Sequence, residues 1–148
     1  MKILIINGPN MQLLGKREPN IYGKKNLNDL QEEIEKFALQ KSVEIEFFQS
    51  NHEGAIIDKI ANSFENVEGI IINPAAYTHT SVAIHDAIKG VGVPTIEVHL
   101  SNIHAREGFR HTSCTAPACM GQICGFGFDS YKLAIDALVR ILHEKIHS

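Results

Sequence analysis

The chemistry of this 148-residue chain concentrates in two pairs of side chains, Arg17 with Tyr22 and Glu97 with His99. Arg17 precedes Tyr22 by five residues in the loop Gly8-Pro9-Asn10-Met11-Gln12-Leu13-Leu14-Gly15-Lys16-Arg17-Glu18-Pro19-Asn20-Ile21-Tyr22-Gly23, between two glycines suited to act as hinges. Free tyrosine has a pKa near ~10, and bringing it to about 7 takes roughly 4 kcal/mol of preferential phenolate stabilisation. A guanidinium held against the oxygen in a partly dry site could supply much of that, which suits the pair to make the tyrosine a base near neutral pH. Period-2 alternation puts Glu97 and His99 on one side of a strand, with Ser101 beyond them and Val98 and Leu100 on the other side. A carboxylate beside a histidine fixes its tautomer and favours the imidazolium, a form able to protonate a departing hydroxyl.

These residues need a scaffold, and the chain alternates strand-like and helix-like patterns. Strands read at about 2–7, 43–48, 69–73, 94–99 and 122–126. The first and third are continuous apolar runs, as in parallel strands covered on both faces. Helical spacing runs through 28–41 (Leu30, Ile34, Phe37, Ala38), 54–65 (Ile56, Ile57, Ile60, Ala61, Phe64) and 80–89 (Ala83, Ile84, Ala87, Ile88), the last after threonines able to cap it. A last helix starts at Ser130 and carries Leu133, Ala134, Ala137, Leu138, Ile141 and Leu142. The expected fold is α/β and flavodoxin-like, a five-stranded parallel sheet of order 2-1-3-4-5 with helices on both faces. Residues 1–148 read as one domain, with no linker or repeat. The long connection 101–121 is expected to hold a short helical piece from Ala105 to Arg110.

On this layout Asn10, Asn73, His99, Leu100 and Ser101 all fall at or just beyond the carboxyl ends of strands one, three and four. That edge is where an open α/β sheet binds ligands. Gly8-Pro9-Asn10 is a turn signal whose asparagine amide could also stabilise a developing oxyanion, and free backbone N–H groups of Leu100-Ser101 can receive an anion.

The rest of the composition narrows the field. A net charge of −3 argues against a nucleic-acid surface. The first apolar run is four residues long and ends in Asn7-Gly8-Pro9, unlike a secretory signal, and no run approaches a membrane span. A cytoplasmic protein is expected. Cys114, Cys119 and Cys124 form a C-x4-C-x4-C series that does not match zinc spacing, and they read as small, partly buried residues in a reducing cytosol.

The loop Gly8–Gly23, the stretch Ile70-Ile71-Ile72-Asn73-Pro74-Ala75-Ala76-Tyr77-Thr78-His79-Thr80-Ser81 and the stretch Ile96-Glu97-Val98-His99-Leu100-Ser101-Asn102 together resemble type II 3-dehydroquinate dehydratases of the shikimate pathway. The likeness runs from Lys2 to about Leu142, with the motifs in the family's order and spacing. It implies dehydration of 3-dehydroquinate to 3-dehydroshikimate without cofactor, metal or Schiff base. Tyr22, activated by Arg17, would be the base, Asn10 the enolate stabiliser and His99, set by Glu97, the acid. Asn73, His79, Leu100, Ser101 and Arg110 would hold the substrate. Asp86 would come from a neighbouring subunit of a dodecamer built as a tetramer of trimers. Arg106, four residues before Arg110, is left a structural or interface role. Gln12 and Gly108 depart from the usual pattern, without removing any named group.

Two other classes compete with this reading. A metal-dependent hydrolase built on some of the eight histidines finds no H-E-x-x-H or similar spacing. A non-catalytic nucleotide- or flavin-binding module finds neither G-x-G-x-x-G nor a P-loop in the first loop.

Overall fold

The run Ile3-Leu4-Ile5-Ile6 is buried throughout, which a strand achieves only when both faces of its sheet are covered. In the computed structural model it is the heart of β1 (Lys2–Asn7), flanked by β2 (Glu44–Gln49) and β3 (Gly69–Asn73), with β4 (Thr95–His99) and β5 (Gly121–Cys124) beyond. All pairs are parallel and the order is β2-β1-β3-β4-β5, a flavodoxin-like doubly wound sheet. The structure describes residues 1–16 and 18–147, without the side chains of Tyr22 and of residues 145–147. Arg17 and the Tyr22 side chain, both assigned chemistry above, therefore lie outside the described residues.

Alternation along β1 divides the core. Ile3 and Ile5 pack on one face with Leu30 and Ile34 of α2 (Leu27–Gln40) and with Ile135 and Leu138 of α5 (Asp129–His147). Leu4 and Ile6 pack on the other with Ile56 and Ile60 of α3 (Glu53–Ala61) and Ile84 and Ile88 of α4 (Val82–Val91). A four-residue α1 (Pro19–Tyr22) opens with Pro19, whose missing N–H costs a first turn nothing. No described helix is long and apolar enough to cross a membrane.

Local chemistry moved several expected boundaries. Helix α3 stops at Ala61 rather than running to 65. The Ser63 hydroxyl donates to Ile60 O at 2.6 Å, the Asn66 amide donates to Asn62 O, and Glu65 turns to φ 67°. Phe64, expected on the apolar face, is consequently exposed. Helix α4 begins at Val82 because Ser81 Oγ, not a threonine, accepts the Ile84 N–H at 2.9 Å. It continues to Val91, where Gly92 at φ 71° ends it. Strand β5 is shifted to Gly121–Cys124. In α5, Leu133 is exposed, while Tyr131 and Ile135, absent from the expected stripe, are fully buried. The expected helical piece at 105–110 is two separate 3₁₀ turns, Ile103–Ala105 and Gly108–Arg110.

Candidate active site

The order of the strands reverses direction between β1 and β3, and a cavity of about 100 Å³ opens there, beyond the carboxyl ends of the strands. Pro9, Asn10 and Met11 line it from the exit of β1, Asn73, Ala75 and His79 from the exit of β3, and His99, Leu100 and Ser101 from the exit of β4. Ile103, Arg106 and Arg110 close it from the long connection. Seven of the sequence-derived candidates thus meet in one cavity: Asn10, Asn73, His79, His99, Leu100, Ser101 and Arg110. The alternation that put Leu100 and Ser101 on opposite sides ends at His99, where the strand ends.

The exits of β1 and β3 are pressed together. Gly8 N–H donates to Asn73 O at 2.8 Å, and a Cβ on Gly8 would stand 2.5 Å from Pro74 O, so only glycine fits. Asn10 then adopts the left-handed conformation at φ 68°, and its N–H donates to Asn51 Oδ1 at 3.0 Å. Gln49 Nε2 braces the same turn through Gly8 O at 3.2 Å and Gln12 Oε1 at 3.1 Å. Asn73 is fixed by its own amide: Oδ1 accepts Ala75 N–H at 3.1 Å and Nδ2 donates to the Tyr131 hydroxyl at 3.1 Å.

Both cavity histidines have one nitrogen committed. His79 Nδ1 lies 2.8 Å from Thr112 O, and since a carbonyl accepts only, Nδ1 carries the hydrogen. Neutral His79 therefore keeps Nε2 as an acceptor. His99 Nε2 lies 2.9 Å from Glu97 Oε2, and both residues are buried. Burial pushes the Glu97 carboxyl up, but hydrogen bonds from His99, Thr115 and Gln122 and the His99 charge outweigh it and leave the carboxyl below its usual range. Glu97 is then an ionised acceptor, Nε2 of His99 is the donor, and Nδ1 is the nitrogen left for chemistry.

Two arginines supply positive charge. Arg110 Nε donates to Glu107 Oε2 at 2.8 Å, a bond that holds the Glu107 carboxyl below its usual range, and its guanidinium lies 4.8 Å from the centre of the Phe109 ring. Arg106 lines the cavity as well, its side chain 9% exposed and Nη2 3.4 Å from Glu18 Oε2. That placement adds a position in the cavity wall to the structural or interface role read for Arg106. The i, i+4 spacing allowed the two arginines a shared face, and it was the family likeness that singled out Arg110; in the structure Arg106 follows one 3₁₀ turn and Arg110 ends the next.

Asp86 does not reach the cavity of its own chain; it stands on α4 with its side chain 73% exposed, and His85 Nδ1 lies 3.1 Å from its Oδ1. Among the other tyrosines, Tyr131 is fully buried and burial pushes its phenol up, while Tyr77 donates its hydroxyl to Asn51 O at 2.8 Å. Neither lines the cavity. The three cysteines are unpaired, and no described group of three or more His, Cys, Asp or Glu side chains could hold a metal ion. Sequence reasoning also missed Ser113, Thr115 and Gln122, which all bond to Glu97.

The doubly wound parallel sheet, with a carboxylate-held histidine and two arginines beside the cavity at its switch point, is the architecture of an α/β enzyme. The chain belongs to the class II dehydroquinase family, whose model matches residues 1–139. It is 63% identical over 142 residues to a 3-dehydroquinate dehydratase of Caldicellulosiruptor bescii, covering 95% of this chain and 98% of that one. It is 60% identical over 139 residues to a 3-dehydroquinate dehydratase of Clostridium beijerinckii, covering 93% of this chain and 95% of that one. Its fold matches the crystal structure of the type II dehydroquinase from Butyrivibrio crossotus with a TM-score of 0.91 at 54% identity, over 93% of this chain and 97% of that one.

Proposed function

We propose that this chain, as a single domain, dehydrates 3-dehydroquinate to 3-dehydroshikimate in the shikimate pathway. Family membership supports the reaction, and the observation that carries the chemistry is the buried His99–Glu97 pair, which leaves Nδ1 uncommitted on a residue lining the same cavity as Asn10, His79, Arg106 and Arg110.

In this reading Tyr22, its phenolate favoured by the Arg17 guanidinium, takes the proton from carbon 2, next to the ketone. The electron pair passes to the ketone oxygen as an enolate, which the Asn10 amide stabilises directly or through a water. The enolate collapses as the carbon 1 hydroxyl leaves, taking the Nδ1 proton of imidazolium His99 and departing as water. Asn73 meets that hydroxyl, and the Leu100-Ser101 backbone with the serine hydroxyl receives the substrate carboxylate. His79 and Arg110 hold the remaining ring hydroxyls, a task suited to the acceptor Nε2 that the Thr112 bond leaves on His79. Loop closure would exclude water and strengthen the Arg17–Tyr22 coupling, and Lys16 and Arg17 would attract the anionic substrate.

Asp86, remote from the cavity of its own chain, is assigned to the site of a neighbouring subunit in a dodecamer of four trimers. A cytoplasmic setting agrees with three unpaired cysteines. The test is spectrophotometric: purified protein mixed with 3-dehydroquinate should produce the ultraviolet absorbance of a conjugated enone. A flat trace would refute the assignment.

A further inference from the structure

Glu97 has no exposed surface, and four side chains close around its carboxylate. Oε2 accepts Nε2–H of His99 at 2.9 Å and Nε2–H of Gln122 at 2.6 Å. Oε1 accepts the Thr115 hydroxyl. Ser113 Oγ lies 3.0 Å from Oε2 and 3.2 Å from Oε1. It already accepts the N–H of Ala116 at 2.9 Å and of Thr115 at 3.2 Å, and its one proton has the carboxylate at 3.0 Å as a nearer acceptor than Thr115 Oγ1 at 3.3 Å. A carboxylate offers about four acceptor sites, and here all are taken. A proton on Glu97 would have to displace one of these donors, and a displaced Thr115 hydroxyl, fully buried, would find no water in exchange.

We propose that Thr115 and Gln122, together with Ser113, are positioning residues of the reaction: by filling the acceptor sites of Glu97 that His99 leaves open, they hold the carboxylate ionised and confine the exchangeable proton to Nδ1 of His99, beside the cavity. This rests on the reading of His99 as the general acid. The three come from different places in the fold, Ser113 and Thr115 from the long connection and Gln122 from β5. The connection is itself tied down, because Cys114 N–H donates to Thr78 O at 2.7 Å.

The other titratable groups beside Glu97 do not compete for the proton. Burial, and then the Glu97 charge, push the Cys119 thiol up to about 12 and the Cys124 thiol up to about 11, so both stay protonated where an imidazole titrates. On the cavity side of His99 stand His79, committed to Thr112 O, and the permanently charged Arg106 and Arg110.

Removing a donor leaves more negative charge facing His99 and raises the proton affinity of the pair. The test follows the ring nitrogens of His99 by ¹⁵N NMR through a pH titration of the full chain, beside the pH profile of kcat. Thr115→Val and Gln122→Met should each move the His99 midpoint, and the matching limb of the kcat profile, up by about one pH unit. Thr115→Ser, which keeps the hydroxyl and loses the methyl, should leave both where they are. If Thr115 served packing alone the order would reverse, with the isosteric valine harmless and the serine harmful, and the proposal would be overturned. An unmoved midpoint in both Thr115→Val and Gln122→Met would also overturn it. Gln122 is exposed, so Gln122→Met is expected to fold and decides the matter if Thr115→Val does not. Should the wild-type protein leave 3-dehydroquinate unchanged, the proposed reaction falls, while the NMR midpoints still decide the carboxylate cage.

Discussion

The Tyr131 hydroxyl, near the start of the last helix, donates to Asn7 Oδ1 at 2.5 Å across 124 residues of sequence. It also accepts from Asn73, and so joins the ends of β1 and β3 beneath the cavity floor. Tyr131→Phe keeps the ring and strands two buried polar groups, one on Asn7 and one on Asn73. The expected loss of stability is about 1–3 kcal/mol, read as a lower urea midpoint with an unchanged slope. An unchanged midpoint would mean that the two asparagines find other partners.

The acid step makes the next demand. General acid–base catalysis typically contributes about 10²–10⁴-fold, so His99→Ala should lower kcat by that order while leaving KM within a few-fold. Glu97→Gln keeps the size of the side chain but removes the ionised acceptor, and should lower kcat by a smaller factor. Full turnover in either variant, measured by enone absorbance, would remove the pair from the mechanism.

Tyr22→Phe should bind substrate and fold normally but lose turnover by orders of magnitude. Arg17→Lys keeps the charge and loses the planar, forked geometry. Its tyrosine should ionise later, so the ascending limb of its pH–rate profile should move to higher pH. A profile superimposable on wild type would show that Arg17 does not tune the base.

The Glu97 carboxyl is held below its usual value of 4.5 in the folded chain. A lowered pKa stabilises the fold fully above the unfolded value and loses that contribution as pH falls through the folded one. Urea midpoints should therefore fall as the pH drops below about 4.5. Glu97→Gln should show a shallower fall over the same window. Parallel curves for the two proteins would place the acid sensitivity elsewhere, Glu33 and Glu46 with their lysine partners being other lowered carboxyls.

The exposure of Asp86 gives a complementation test. Asp86→Ala should bind substrate weakly and Tyr22→Phe should barely turn it over, so at low substrate each alone should show little activity. Refolded together, they should regain part of the wild-type activity, since some sites then combine an intact Tyr22 with an intact Asp86 from a neighbour. No recovery on mixing, with assembly intact by sedimentation, would mean that Asp86 does not cross between subunits.

Much of the scaffold could be read along the chain because its signals are local. Unbroken apolar runs at 3–6 and 70–72 are what a doubly covered strand requires, and the apolar spacing in 28–41 marks the buried face of α2. Helix ends were harder, since they depend on single side chains such as Ser81 and Ser63 reaching particular backbone groups. The neighbouring positions of Glu97 and His99 were likewise legible, because two residues on one side of a strand are close by geometry alone.

What the sequence by itself determined was which segments become strands and helices, and which polar residues sit at the strand exits, because hydrophobic periodicity and turn chemistry act over a few residues. The tertiary structure alone decided that Ser113, Thr115 and Gln122 surround Glu97, that Arg106 faces the cavity, and that Tyr131 binds Asn7 to Asn73. Those meetings depend on how the long connection folds back and how the last helix lies on the sheet. They are set by packing between distant segments, and periodicity within a segment carries no record of which partner that packing will supply.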